Sequence, residues 1–141
     1  MLMSLSIRNV ALIKRLEISF ASGLSVLTGE TGAGKSILLD ALGLALGARS
    51  ESNLLRRGSD HASVVAEFST QPHNATVRLL KEQNLEHDEI ILLRRVLGVN
   101  GRTRAFVNDQ PVSVSFLRRV GESLVEILSL IHISEPTRRR T

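Results

Sequence analysis

The stretch Leu24-Ser25-Val26-Leu27-Thr28-Gly29-Glu30-Thr31-Gly32-Ala33-Gly34-Lys35-Ser36 decides the fold. Its second part satisfies G-x-x-x-x-G-K-[ST] at every fixed position, and its first part is a short apolar run that predicts a strand ending at the loop. From Lys35 the apolar positions change to helical spacing. Ile37, Leu38, Ala41, Leu42, Ala45 and Leu46 share one face, and Gly47 stands where such a helix ends. Strand, glycine-rich loop and helix in direct succession form a unit that cradles phosphates. The glycines let successive backbone N–H groups turn inward, and the helix starting at Lys35 adds the positive end of its dipole. Lys35 then reaches the β and γ phosphates as a point charge, while the Ser36 hydroxyl suits Mg²⁺, which prefers hard oxygen ligands. Gly29, Glu30, Thr31, Gly32, Ala33, Gly34, Lys35 and Ser36 are therefore the candidate ATP-binding residues, with Ser36 the candidate metal ligand. A chance match somewhere in 141 residues has a probability of roughly half a percent from ordinary residue usage.

Before this unit, Leu2 to Ile7 and then Leu16, Ile18 and Phe20 alternate with polar residues, which predicts two half-buried strands joined through Arg8 to Arg15. After it, Arg49 to Asp60 is polar and irregular. Ala62 to Phe68 reads as a strand, and Pro72 to Gln83 as a helix with proline near its first turn. Ile90 to Leu97 and Thr103 to Val107 read as a hairpin, followed by a turn at Asn108-Asp109-Gln110. Phe116, Leu117, Val120, Leu124 and Ile127 repeat at helical spacing, with Ser113 or Ser115 as cap.

Composition narrows the function. The length fits one domain or part of one. The longest uncharged stretch, Ile18 to Gly29, is well short of the roughly 18 apolar residues that span a bilayer. Met1 to Val10 lacks the features of a secretion signal, so no membrane partner and a cytoplasmic location are expected. There is no cysteine, and His61, His73, His87 and His132 show no metal-ligand spacing. Of the formal charge of +4, the last residues Glu135, Arg138, Arg139 and Arg140 supply +2, leaving a mildly basic body. With no Trp or Tyr, and Phe20, Phe68, Phe106 and Phe116 inside apolar runs, no platform for stacking bases is expected. Arg49, Arg56 and Arg57 are candidates to touch phosphate or DNA, or else form a solvated basic loop. Asp40 and Glu126 are expected at helix surfaces or boundaries.

A phosphate loop near residue 30, after antiparallel strands, is unlike small nucleotide kinases and similar to ABC-type or SMC-like ATPase heads. More narrowly, Leu5 to Ile13, Leu16 to Phe20 and Gly23 to Ser36 resemble the bacterial RecN family of DNA-repair ATPases. So do Asp40 to Arg49, Gly101 to Asn108 and Leu124 to Ile127. One departure is Val10, where the family tends to have an aromatic residue. The resemblance implies an α/β fold: the N-terminal lobe of an ABC/SMC-type P-loop NTPase head, with a mixed sheet containing antiparallel strands and the P-loop strand-helix unit. It also implies ATP and Mg²⁺ as cofactors. DNA, a C-terminal head lobe and a second head in a homodimer are the implied partners, in a protein that couples ATP hydrolysis to handling DNA double-strand breaks.

The end of the chain departs further. In RecN-like proteins a Val-Glu/Asp-Ile segment leads into a His-Gly-Gln stretch whose Gln helps organise Mg²⁺ and water, whereas Ile127 is followed by Leu128-Ser129-Leu130. Leu130 to Arg138 resembles translated sequencing-adapter read-through. Residues 1–127 are therefore expected to form a partial P-loop ATPase head, and 128–141 a non-native or disordered tail. Without the family's metal-holding carboxylates, signature motif and that Gln, this lobe is not expected to hydrolyse ATP alone. Two rival readings are a small P-loop kinase or phosphotransferase, with Arg56 and Arg57 as the start of a lid, and a truncation that does not fold by itself.

Overall fold

The computed structural model describes residues 2–19, 32–49, 54–69, 74–85 and 90–131. In chain order they form β1 (Leu2–Val10), β2 (Ile13–Ser19), α1 (Gly32–Ala45), β3 (His61–Ser69), α2 (Asn74–Glu82), β4 (Ile90–Gly98), β5 (Thr103–Val107), β6 (Gln110–Val112) and α3 (Val114–Ile131). The strands make one sheet in the order β2-β1-β3-β4-β5-β6, and every described pairing is antiparallel. The strand expected at Leu24 to Thr28 lies outside the described residues.

Alternation with period two gives the sheet two unlike faces. Leu5 and Ile7 of β1, Ala62, Val64, Ala66 and Phe68 of β3, Ile91, Leu93 and Leu97 of β4, and Ala105 and Val107 of β5 are buried. They form one core with Ala41, Leu44 and Ala45 of α1, Leu80 of α2, and Phe116, Leu117, Val120 and Leu124 of α3. The other face carries no described helix.

Several element boundaries differ from the sequence expectation. Rather than an eight-residue connection, β1 and β2 run on until only Ala11 and Leu12 join them. Val10 explains the extension: it is fully buried, pairs with Ile13, and forms an isolated bridge with Leu55. The turn needs Asn9 and Ala11 at positive φ, and neither residue announces a hairpin as Asn-Gly or Asp-Gly would. In contrast, Asn108 and Asp109, both at positive φ, make a tight turn into the short strand β6, which the expected three-residue turn had absorbed. Asn108 locks that turn by accepting the Leu92 N–H on its Oδ1 at 2.9 Å. Pro111 sits in β6, an edge strand, where a missing donor is tolerated.

Helix ends follow capping chemistry. Ser113, not Ser115, caps α3: its Oγ accepts the Phe116 N–H at 3.0 Å. α2 ends at Asn84, at φ 56, with the Leu85 N–H donating to the Leu80 carbonyl at 2.9 Å. α1 ends the same way at Gly47, at φ 96, with the Ala48 N–H donating to the Gly43 carbonyl at 2.9 Å. α3 continues through Ile131, four residues past the expected apolar stripe.

Candidate nucleotide-binding site

α1 lies over β3, β4 and β1 on the covered face of the sheet. Gly32, Ala33, Gly34, Lys35 and Ser36 are its first five residues, so the second half of the glycine-rich motif is itself helical. Helix was expected only from Lys35. Helix propagation adds one hydrogen bond per residue once a turn has formed, which draws the preceding residues in. The first four N–H groups of any α-helix have no intrahelical partner and carry the positive end of its dipole. Here those groups belong to the motif. Gly29, Glu30 and Thr31 lie outside the described residues.

The rest of α1 is an anchor. Ala41, Leu44 and Ala45 are fully buried, and Leu38, Leu42 and Leu46 pack against the core from its edge. Asp40 is exposed, as expected for a surface charge. The far end of the helix is held by a device that sequence reading missed. Arg95 of β4 is only 2% exposed and faces no carboxylate among the described residues. Its Nε donates to Thr103 Oγ1 at 2.6 Å, and its Nη1 donates to the carbonyls of Leu44 at 3.0 Å and Ala48 at 2.8 Å. Burial first, and the neighbouring Arg118 charge second, pull Arg95 below the ordinary arginine pKa. The negative end of the α1 dipole, at the helix C-terminus, offsets that penalty.

Arg118 of α3 grips the same end, donating from Nε to the Gly47 carbonyl at 3.0 Å. Two glycines allow α3 to come so close. A Cβ on Gly47 would run into the Arg118 backbone, and one on Gly121 would run into the Leu46 carbonyl oxygen. Elsewhere α3 is tied to α2 by a buried hydrogen bond between Thr76 Oγ1 and Ser123 Oγ at 2.6 Å.

The remaining candidates are scattered. Arg56 and Arg57 follow Leu55 beside the β1–β2 turn, where the Arg56 N–H donates to the Asn9 carbonyl at 2.8 Å. Arg49 is exposed just past α1. Val10, the departure noted above, is a core residue. His61 is exposed, while His73, His87 and His132 lie outside the described residues, and no cluster of three acidic or histidine groups suited to a metal occurs among the described ones. Likewise, no described helix is long and apolar enough to cross a membrane.

Comparison with known proteins agrees with this architecture. Residues 4–131 match the AAA domain family AAA_23. The DNA repair protein RecN of Haemophilus influenzae is 43% identical over 130 residues, covering 90% of this chain and 23% of that protein. RecN of Vibrio cholerae is 41% identical over 127 residues, and RecN of Bacillus subtilis 40% over 128, with 23% and 22% of those proteins covered. The chain thus spans less than a quarter of the length of these relatives. Among solved structures, one described as concerning ATP-driven dimerization and DNA stimulated activation of SMC ATPases superposes with a TM-score of 0.66 at 20% identity, over 88% of this chain and 79% of that one. The recombination mediator protein RecF bound to ATPrS gives 0.61 at 19% identity, over 83% and 29%. These likenesses establish the expected ATPase-head fold, and the chain belongs to the AAA domain family, with a RecN-like sequence.

Proposed function

We propose that this chain is the ATP-binding N-terminal lobe of a RecN-like DNA-repair ATPase. The observation that carries the reading is the placement of Gly32 to Ser36 at the N-terminus of α1, where amides without an intrahelical partner and the positive end of the helix dipole favour an anion. The backbone of Gly29 to Gly34 would hold the phosphates, Lys35 would meet the β and γ oxygens, and Ser36 would contribute its hydroxyl to Mg²⁺. Bound Mg²⁺ would neutralise charge that develops on the phosphates. The lobe's own part is to bind and orient the nucleotide. Hydrolysis requires a metal-holding acid and a water-positioning group from the second lobe, and a second head would close over the nucleotide in a homodimer. In the complete protein this cycle would serve the handling of DNA double-strand breaks, in the cytoplasm. Residues 1–127 constitute the lobe in this reading, with 128–141 outside the native fold.

Titration with a fluorescent ATP analogue and Mg²⁺ tests the site. The chain should bind, and Lys35→Ala should lose at least tenfold in affinity, about 1.4 kcal/mol. Unchanged affinity in a folded Lys35→Ala variant would remove the assignment.

A further inference from the structure

α1 meets the sheet through a smooth surface. Ala41 and Ala45 on the helix, and Ala62 and Ala66 on β3, which the helix covers, are fully buried in one core, and Leu44 is the large side chain among the helix's fully buried positions. Small side chains raise only shallow ridges, and apolar burial is non-directional. Such a contact holds α1 against the sheet without fixing how far it slides along its own axis. Hydrogen bonds are directional and do fix it. Among the described residues, those that tie α1 to other elements all fall at its C-terminal end.

The donor there is itself held in place. Arg95 is buried, and its Nε is engaged by Thr103 Oγ1 on the neighbouring strand β5. Its Nη1 therefore presents a fixed point to two carbonyls about one turn apart, those of Leu44 and Ala48. Arg118 takes the Gly47 carbonyl between them from the side of α3. From this grip α1 runs unbroken back to Gly32, about 18 Å along the axis from Leu44 at 1.5 Å per residue. A continuous helix carries an axial displacement over that distance undiminished.

We infer that Arg95 is a positioning residue for the nucleotide: by fixing the axial position of α1 it sets where the amides of Gly32 to Ser36 meet the phosphates. The inference rests on the proposed ATP-binding role and adds a group that acts on it from the opposite end of the helix. Arg95 touches no phosphate and works through α1. Amides hold an oxygen at about 3 Å and weaken steeply with misalignment, so one small slide of the helix loosens several of them together. Coupling between two sites is also reciprocal. If releasing the grip weakens nucleotide binding by some factor, bound nucleotide tightens the grip by the same factor. Amide exchange at Leu46, Gly47 and Ala48, whose N–H groups close the last turns of the helix, then slows when nucleotide binds at the far end.

The test is titration of this chain with a fluorescent ATP analogue and Mg²⁺, at a temperature where urea curves show every variant to be over about 95% folded. Unfolding then raises the apparent Kd by no more than about 5%, so a residue that matters to stability alone leaves affinity in place. Arg95→Met should weaken binding about fivefold or more, the lower end of typical coupling between sites. Arg95→Lys, whose ammonium can reach the Leu44 and Ala48 carbonyls, should recover most of that affinity even where it is no more stable than Arg95→Met. Ser113→Ala, which removes the cap of α3 and touches nothing on α1, should bind as the parent does. In the parent, saturating analogue should slow exchange at Leu46, Gly47 and Ala48 by a factor similar to the affinity lost in Arg95→Met. Parent-like affinity in Arg95→Met, no recovery in Arg95→Lys, or exchange at those three amides that ignores nucleotide would each overturn the inference, while the site itself would stand as long as binding depends on Lys35. Absence of Lys35-dependent binding in the parent would remove both.

Discussion

Replacing Arg95 isolates what the buried guanidinium contributes to α1. Arg95→Met keeps most of the volume and removes the desolvation penalty of a buried cation, but it withdraws three donated hydrogen bonds. The acceptors are not equally affected. The Leu44 carbonyl still accepts the Gly47 N–H at 3.1 Å, whereas Ala48 O has no other donor among the described residues. Thr103 Oγ1 can rotate toward solvent, since Thr103 is half-buried. Losing the bonds from the charged guanidinium costs about 1.5–3 kcal/mol, and this is partly offset because the exposed Ala48 carbonyl can turn to water and the buried charge is relieved, which gives a net loss of about 1–2 kcal/mol for Arg95→Met. Arg95→Ala adds a cavity and should lose about 3–5 kcal/mol, a large share of the 5–15 kcal/mol typical of a domain. Urea unfolding of the chain reads both values. Hydrogen exchange at Leu46, Gly47 and Ala48 should quicken in Arg95→Met before exchange in β3 does, because the loss is local to the end of α1. If Arg95→Met is as stable as the parent and exchange there is unchanged, volume alone matters and the clamp account is wrong.

Two further outcomes rest on other contacts of α3, and a third on the sequence after Ile127. Gly121→Ala should destabilise by about 2 kcal/mol or more, read by thermal unfolding, because its Cβ meets the Leu46 carbonyl, a backbone atom that cannot move alone. Ser113→Ala should lose about 1 kcal/mol in urea unfolding, while Ser115→Ala, at an exposed position inside α3, should stay within about 0.5 kcal/mol. Resequencing the source DNA across codon 127 with different adapters should replace Leu128-Ser129-Leu130 by a His-Gly-Gln stretch. An unchanged reading would make the tail native.

Legibility from sequence tracked how local each signal is. The phosphate loop, the α1 stripe and the Gly47 stop are patterns within about twenty residues, and they placed the helix to within one turn. The β4–β5 hairpin was equally legible, because two β-branched runs flank a polar gap. Signals failed where a distant contact decides the outcome. β1 extends because Val10 finds Leu55, forty-five residues on, and β6 exists because β5 offers it an edge. The glycine at 121 looks like a weak point in a helix until Leu46 is seen against it.

Arg94 and Arg95 carry the point furthest. They are chemically identical neighbours, and a composition or charge count treats them alike. Alternation along β4 sends Arg95 into the core, onto the end of α1, and Arg94 onto the open face, over Phe106. Which of the two turns inward depends on register: Leu93 and Leu97 must face the helices, so Arg95 between them must as well. An arginine is tolerated there because a helix C-terminus ends against that strand and supplies carbonyls where a carboxylate would otherwise be needed. The same parity leaves Val96, and with it Arg104 paired to it, on the opposite side. The register of β4 therefore fixes which cation secures α1 and which faces solvent. A one-residue slip of β4 would turn Arg94 toward α1 and Arg95 onto the open face, so the α1 anchor depends on that register as directly as on the presence of an arginine.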